Sequence, residues 1–306
     1  MIAAPSIAAG IDLGGTKIEA QVFGADWHVQ SRRRVETPRD YPALVSVMAE
    51  TIAWIEAQAP DLPIGVSSAG LINPATGLAL TANLPATGHP FPADLQAATN
   101  RPIRFVNDCR ALTLSEAVFG AARGLSPAIG IILGTGLGGG VAVNGHLLEG
   151  PSATGGEFGH FPLSAVPVQR HNLPVLTCGC GRTGCTETLL AGPGLSRIVH
   201  AKTGRQVTPP QIADARRTDP DIAECWSIWC ELMTDLLITL TMTVDPACIV
   251  LGGGLSQIDG LLDDLRPRLA AAQLSGFTVP ELRVAEGGDA SGARGAAWAA
   301  WSESHA

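Results

Sequence analysis

From Gly124 to Leu148 the chain runs for 25 residues without an aspartate, glutamate, lysine or arginine, and eight of them are glycine. An uncharged run of that length suits a membrane helix or a set of buried strands. Glycine decides between them, because each one costs roughly 1 kcal/mol in a helix interior. The run therefore reads as a buried strand at Ala128–Leu133, a turn at Gly134-Thr-Gly-Leu-Gly-Gly-Gly140, and an extended return at Val141–Val143.

The same unit occurs at the start of the chain. Ser6–Leu13 reads as a buried strand, Gly14-Gly15-Thr16-Lys17 as its turn, and Ile18–Phe23 as the returning strand. Turns without Cβ atoms present bare N–H groups that can approach a phosphate closely, although Gly-Gly hairpins also occur with no ligand. The candidate nucleotide-binding residues are Gly10, Ile11, Asp12, Leu13, Gly14, Gly15, Thr16 and Lys17 in the first unit. In the second they are Gly134, Thr135, Gly136, Leu137, Gly138, Gly139, Gly140 and Val141. A third glycine turn, with Gly253 and Gly254, follows a strand at Ala247–Leu251 and offers bare backbone to an adenine ring. The Walker A pattern is absent. Asp12 ends the first strand, either as a turn-stabilising aspartate or as the holder of a hydrated Mg²⁺ beside the phosphates.

Cys178, Cys180 and Cys185 lie in a glycine-rich loop, with His160 upstream. Three soft thiolates and one imidazole are the donor set of a closed, structural Cys₃His zinc site, and Glu157 and Glu187 bracket it. Metal-free thiols are the other reading, but buried apolar cysteines are normally scattered through helices and strands rather than gathered as Cys-x-Cys-x₄-Cys. Disulfides fit less well, since seven cysteines is an odd number and 306 residues can build a core without staples.

Arg104–Asn107 is a short strand leading into helix-compatible residues from Ala111 to Phe119. Asp108 stands at that corner as the helix N-cap or as a catalytic base. Further along, Ala43–Ala57 shows helical spacing. Asp219-Pro220 opens a long apolar helix that stops at Asp245-Pro246, and an alanine-rich helix covers Ala293–Trp301. Ser67-Ser-Ala-Gly70 is a small-residue turn able to admit a ligand, and Asn83 sits in a polar loop as a turn cap or a partner for a sugar hydroxyl.

A length of 306 residues suggests about two domains, and a formal charge of −8 repels a nucleic-acid partner. No basic segment precedes a long apolar one at the N-terminus, so the expectation is the reducing cytoplasm, with no membrane partner.

In chain order, Ile11-Asp-Leu-Gly-Gly-Thr-Lys17, Asn107-Asp108, Leu133–Gly140, Glu157-Phe-Gly-His160 and Cys178–Glu187 resemble the motif set of the ROK family of sugar kinases and repressors. The resemblance implies an α/β fold, an actin-like, ribonuclease H-like ATPase duplication in two domains with an inter-domain cleft. Residues 1–118 with 290–306 would form the small N-terminal domain, and 119–289 a larger one carrying the zinc site. It implies ATP with Mg²⁺, structural Zn²⁺, a sugar as substrate, and a homodimer or higher homo-oligomer. Asp108 would be the catalytic base, with Gly70, Asn83, Asn107, Asp108, Glu157, His160 and Glu187 around the sugar. His160, Cys178, Cys180 and Cys185 would hold the zinc.

Val35–Asp40, Thr81–Pro85 and the long insertion between His160 and Cys178 resemble the family's N-acetyl-D-glucosamine kinases, which form the 6-phosphate. Glucose, fructose and N-acetylmannosamine are the other candidate substrates, and a non-catalytic sugar sensor is the reading of another class. Repressor members carry a DNA-binding domain ahead of the first glycine hairpin, where this chain has about ten residues. Two departures stand out: Arg110 where the family usually has Asn, and Ser67–Gly70 in place of a Pro-Gly turn.

Overall fold

The computed structural model describes residues 5–305. The chain forms two compact units, Met1–Arg123 with Val141–Gly155 and Glu286–Ala306, and Gly124–Gly140 with Gly156–Ala285. The sequence reading divides the chain near 118 and 290. The compact units exchange at 123, 140, 155 and 285, with Val141–Gly155 belonging to unit one.

Unit one begins with β1 (Ser6–Leu13), β2 (Lys17–Gly24), β3 (Val29–Glu36), α1 (Tyr41–Gln58) and β4 (Ile64–Ser68). A short hairpin, β5 (Leu71–Ile72) and β6 (Ala79–Leu80), leads to α2 (Phe91–Thr99), β7 (Arg104–Asn107) and α3 (Asp108–Val118). Its sheet has the order β3-β2-β1-β4-β7, with the first three strands antiparallel and β4 and β7 parallel to β1. The helical spacing of Leu44, Met48, Ile52 and Ile55 puts all four on one buried face of α1, in the core with Ile11, Leu13 and Val66.

The chain continues through β8 (Ala128–Leu133), β9 (Leu137–Val143), β10 (His146–Leu147), α4 (Ala165–Arg170), α5 (Glu187–Leu190), α6 (Gly192–Thr203) and α7 (Pro209–Ala215). Then come α8 (Pro220–Val244), β11 (Cys248–Gly252), α9 (Leu261–Ala272), β12 (Glu281–Val284) and α10 (Ser291–Ser304). The second sheet has the order β10-β9-β8-β11-β12. Numbered by appearance, both sheets run third, second, first, fourth, fifth, which is the expected duplication. The uncharged run is strand, turn and strand as its glycines require, except that β9 already begins at Leu137.

Helix α8 starts where the proline places it, with Asp219 accepting from the N–H groups of Asp221 and Ile222, and ends at Asp245 in the left-handed conformation. It is long and apolar enough to cross a membrane by composition, but Ile222, Trp229, Met233, Leu237 and Leu240 are buried in unit two. Helix α10 returns to unit one and lies backbone against backbone on β1, β4 and α3. A Cβ on Gly10 would overlap Ala293 O, one on Gly65 would overlap Ala296 O, and one on Gly295 would overlap Ala111 O.

Candidate active site

In unit one the first hairpin closes tightly, Gly14 N–H donating to Lys17 O at 3.0 Å and Thr37 Oγ1 to Gly14 O at 2.7 Å. Its exposed tip is Gly15-Thr16, whereas Gly10, Ile11 and Leu13 are buried in the body of β1. Those three orient the loop without presenting an atom to a ligand, and the absence of a side chain at Gly10 serves α10. Asn83 is exposed, and its loop rests on the hairpin so closely that a Cβ on Gly15 would stand 2.9 Å from Asn83 Cβ.

Asp12 lies at the mouth of that hairpin, where Ser67 Oγ donates to its Oδ1 at 3.0 Å. Burial pushes its carboxyl from 3.8 up to about 6, with Ser67 and Lys17 opposing the rise and the charges of Asp108 and Glu19 adding to it. Burial also raises Asp108, against hydrogen bonds from Cys109 and Asn107 that lower it.

The strand-to-helix corner places Asn107 and Asp108 side by side. Asn107, not Asp108, caps α3: its side-chain oxygen accepts from Cys109 N–H and Arg110 N–H at 3.0 and 3.3 Å. Asn107 Nδ2 donates to Gly70 O and to Asp108 Oδ1, each at 3.0 Å. Both the oxygen and the nitrogen of this amide thus bond within the protein, and the amide helps hold Asp108 in place. Gly70, at φ +121°, makes the turn that brings its carbonyl there. Arg110 is buried, donates through Nη2 to Ala153 O at 2.5 Å, and lines a cavity of about 340 Å³ with Gly70, Asn107 and Glu149.

In unit two the second hairpin closes through Gly134 N–H to Gly136 O at 3.0 Å, leaving Thr135 and Gly136 exposed. Gly138, Gly139, Gly140 and Val141 lie in β9. A Cβ on Gly139 would overlap Gly130 O and the Phe158 ring. The α6 N-terminus abuts the hairpin, with Gly192 N–H donating to Gly134 O at 2.8 Å.

Beside the hairpin lies a cavity of about 800 Å³, walled by Gly134, Thr135, Pro209, Pro210, Gly254 and Ile258 among others. Gly254 lines it; Gly253, at φ +83°, turns the chain hard against Leu133 O. Outside the sequence motifs lies the wall from α6, α7 and residues 255–259. Gly192-Pro193 and Pro209-Pro210 were its available signals, since paired breakers shape an irregular rim. Arg216, stacked over Trp226 at 5.2 Å, ties that rim together by donating to Ala213 O and Asp259 O.

Glu157, His160 and Glu187 meet beside the cysteine loop. His160 Nδ1 lies 3.6 Å from Cys178 Sγ and 3.8 Å from Glu187 Oε1, while Nε2 lies 3.8 Å from Glu157 Oε2. Cys180 and Cys185 sulfurs are 3.6 Å apart, and one ligand atom from each of the four residues falls within 4.8 Å of the others. Tetrahedral zinc with Zn–S near 2.3 Å sets ligand atoms about 3.8 Å apart, so the donor set fits that ion. All seven cysteines are free of disulfides. Burial raises the Cys178 and Cys185 thiols, whereas the Arg182 N–H lowers that of Cys180. Glu187 also reaches the hairpin, its Oε2 accepting from Leu137 N–H at 3.4 Å, and with Thr135 and Arg197 it lines a hollow of about 390 Å³.

Two sheets of one strand order, each opening on a glycine hairpin, with a buried acid at the mouth of the first, define an actin-like α/β ATPase fold. The chain belongs to the ROK family, whose model matches residues 8–303. It is 38% identical over 292 residues to an N-acetylgalactosamine kinase of a Shewanella species, covering 94% of each chain. It is 36% identical over 294 residues to an N-acetyl-D-glucosamine kinase of Pectobacterium atrosepticum, covering 94% of this chain and 97% of the other. Among solved structures it is similar to a ROK hexokinase of Thermus thermophilus, with a TM-score of 0.87, 31% identity, and 98% and 99% of the two chains covered.

Proposed function

We propose that this protein is a cytoplasmic, ATP-dependent sugar kinase that phosphorylates the 6-hydroxyl of N-acetyl-D-glucosamine. The observation that carries the reaction is Asp108. Its Oδ1 is pinned by Asn107 Nδ2 and by Cys109 N–H, a fixed carboxylate at a strand-to-helix corner near a second buried acid, Asp12. Asp108 accepts the proton of the 6-hydroxyl as that oxygen attacks the γ-phosphorus and ADP leaves. A loose transition state asks little of the base beyond position.

Gly15, Thr16, Thr135 and Gly136, at the exposed hairpin tips, offer backbone N–H groups to the phosphates, and the 800 Å³ cavity takes the adenosine. Asp12 would hold hydrated Mg²⁺, which when bound would supply positive charge beside the transferring phosphates. His160 Nδ1 faces the cysteines and would ligate Zn²⁺. That leaves Nε2 with Glu157 and Glu187 for sugar hydroxyls, so the metal sets the orientation of a substrate contact. The family resemblance supports a homo-oligomer.

N-acetylgalactosamine is the second reading, favoured by the Shewanella relative and not among the substrates suggested by the sequence motifs. The two sugars differ only in the direction of one hydroxyl, at carbon 4. ADP release measured across both sugars, N-acetylmannosamine, glucose and fructose separates these readings. A preference of about a hundredfold for N-acetyl-D-glucosamine is expected, within reach of polar discrimination. A lead for N-acetylgalactosamine moves the substrate and keeps the kinase. Sugar binding without turnover overturns the enzyme.

A further inference from the structure

Glu116, on the last turns of α3, is fully buried, and the phosphoryl transfer makes no use of it. Its Oε2 accepts from Ala121 N–H at 2.9 Å and Glu286 N–H at 3.0 Å. Its Oε1 accepts from Gly287 N–H at 2.8 Å and Ser291 O–H at 3.3 Å. A carboxylate is an acceptor only, with room for about four donors, so this one is fully occupied. Arg294 of α10, anchored through Nε to Ser115 Oγ at 3.0 Å, is the charged group that faces it. Three of the four donors belong to the segment 286–291 that leads into α10. Glu116 therefore fixes where that helix starts.

The start of α10 lies against Asp12. A Cβ on Gly292, the second residue of the helix, would stand 2.5 Å from Asp12 Oδ1 and 3.2 Å from Ser67 Oγ. The first turn of a helix is electropositive, which favours a carboxylate there. Asp12 is thus confined by Ser67 on one side and the α10 backbone on another, with Lys17 and Glu19 of β2 and Asp108 of α3 as the charges around it.

We propose that Glu116 is a positioning residue for Asp12: by locking the first turn of α10 it sets the place of the Asp12 carboxylate, and Gly292 is the contact through which it does so. The proposal rests on Asp12 holding Mg²⁺ as described above.

Calorimetric titration of ADP into the full chain, with Mg²⁺ and with a chelator, measures the gain in nucleotide affinity that the ion brings. Glu116→Gln, which turns an amide donor toward backbone N–H groups, and Gly292→Ala, which puts a methyl against Asp12, are each expected to lower that gain about tenfold, the usual cost of disturbing the support of a metal-binding group. Metal-free ADP affinity and the sugar KM should stay within about twofold of the parent in both. If Glu116→Gln does not fold, Ser291→Ala, which removes one of the four donors to Glu116, is measured in its place. A gain unchanged in the variants that fold, or a parallel loss of metal-free ADP affinity, overturns the positioning role. Asp12→Asn separates the two ideas. If it too keeps the gain, the metal reading of Asp12 fails and takes the proposal with it. If it abolishes the gain while Gly292→Ala keeps it, the coupling alone fails.

Discussion

Asp108 and Asp12 are both buried carboxylates in unit one, and they carry different expectations. Asp108→Asn removes the proton acceptor and leaves the shape of the site. Its kcat should fall roughly 10²- to 10⁴-fold with the sugar KM little changed, read from ADP release. Asp12 should betray itself in stability. With its carboxyl raised from 3.8 to about 6, the folded state binds more protons than the unfolded chain between those values. Stability is therefore lost as pH rises through that window, and above it the ionised form burdens the fold by up to about 3 kcal/mol. Asp12→Asn should flatten this dependence and raise the melting temperature of the nucleotide-free protein at neutral pH while lowering activity. A variant that melts no higher at neutral pH would show that the buried charge carries no such cost. The sequence singles out both aspartates, but cannot say which neighbour caps α3. Asn107 takes that place, and only the fold reveals that its amide also bonds to Gly70 and Asp108.

At the scale of elements, the glycine hairpins and the cysteine loop are legible because their chemistry lies in local backbone and in residues close along the chain. The 800 Å³ cavity is legible only at its glycine turns, because the rest of its wall comes from α6, α7 and residues 255–259, whose side chains have no common period. Glu116 is equally hidden: in sequence it is one more polar residue on a helix, and three of its donors lie about 170 to 175 positions away. The close approach of α10 to the first sheet makes its own prediction. Gly65→Ala places a methyl where Ala296 O already stands, so it should cost 1–3 kcal/mol or more, seen as a lower melting temperature or lost soluble protein. Gly150→Ala, where a Cβ meets nothing within 4 Å, should stay within about 0.5 kcal/mol of the parent.

For the molecule as a whole, the sequence conveys the duplication, since one strand–turn–strand pattern appears twice, but not the return of residues 141–155 to unit one, which no composition change marks. Elemental analysis of protein prepared without chelator should find one zinc per chain. Cys185→Ser should lose it and raise the sugar KM about 10-fold or more while ADP still binds, the usual effect of losing the support of an oriented ligand. Zinc well below one atom per chain in the parent would end the assignment.

Helix α10 covers β1 and β4, yet the chain reaches it only after every strand and helix of unit two. A chain emerging from the ribosome therefore completes its second unit before its first. Throughout that interval the earliest sheet lacks the helix that seals it. The face that α10 covers in the finished protein is thus the part of the newborn chain left open longest to misassociation.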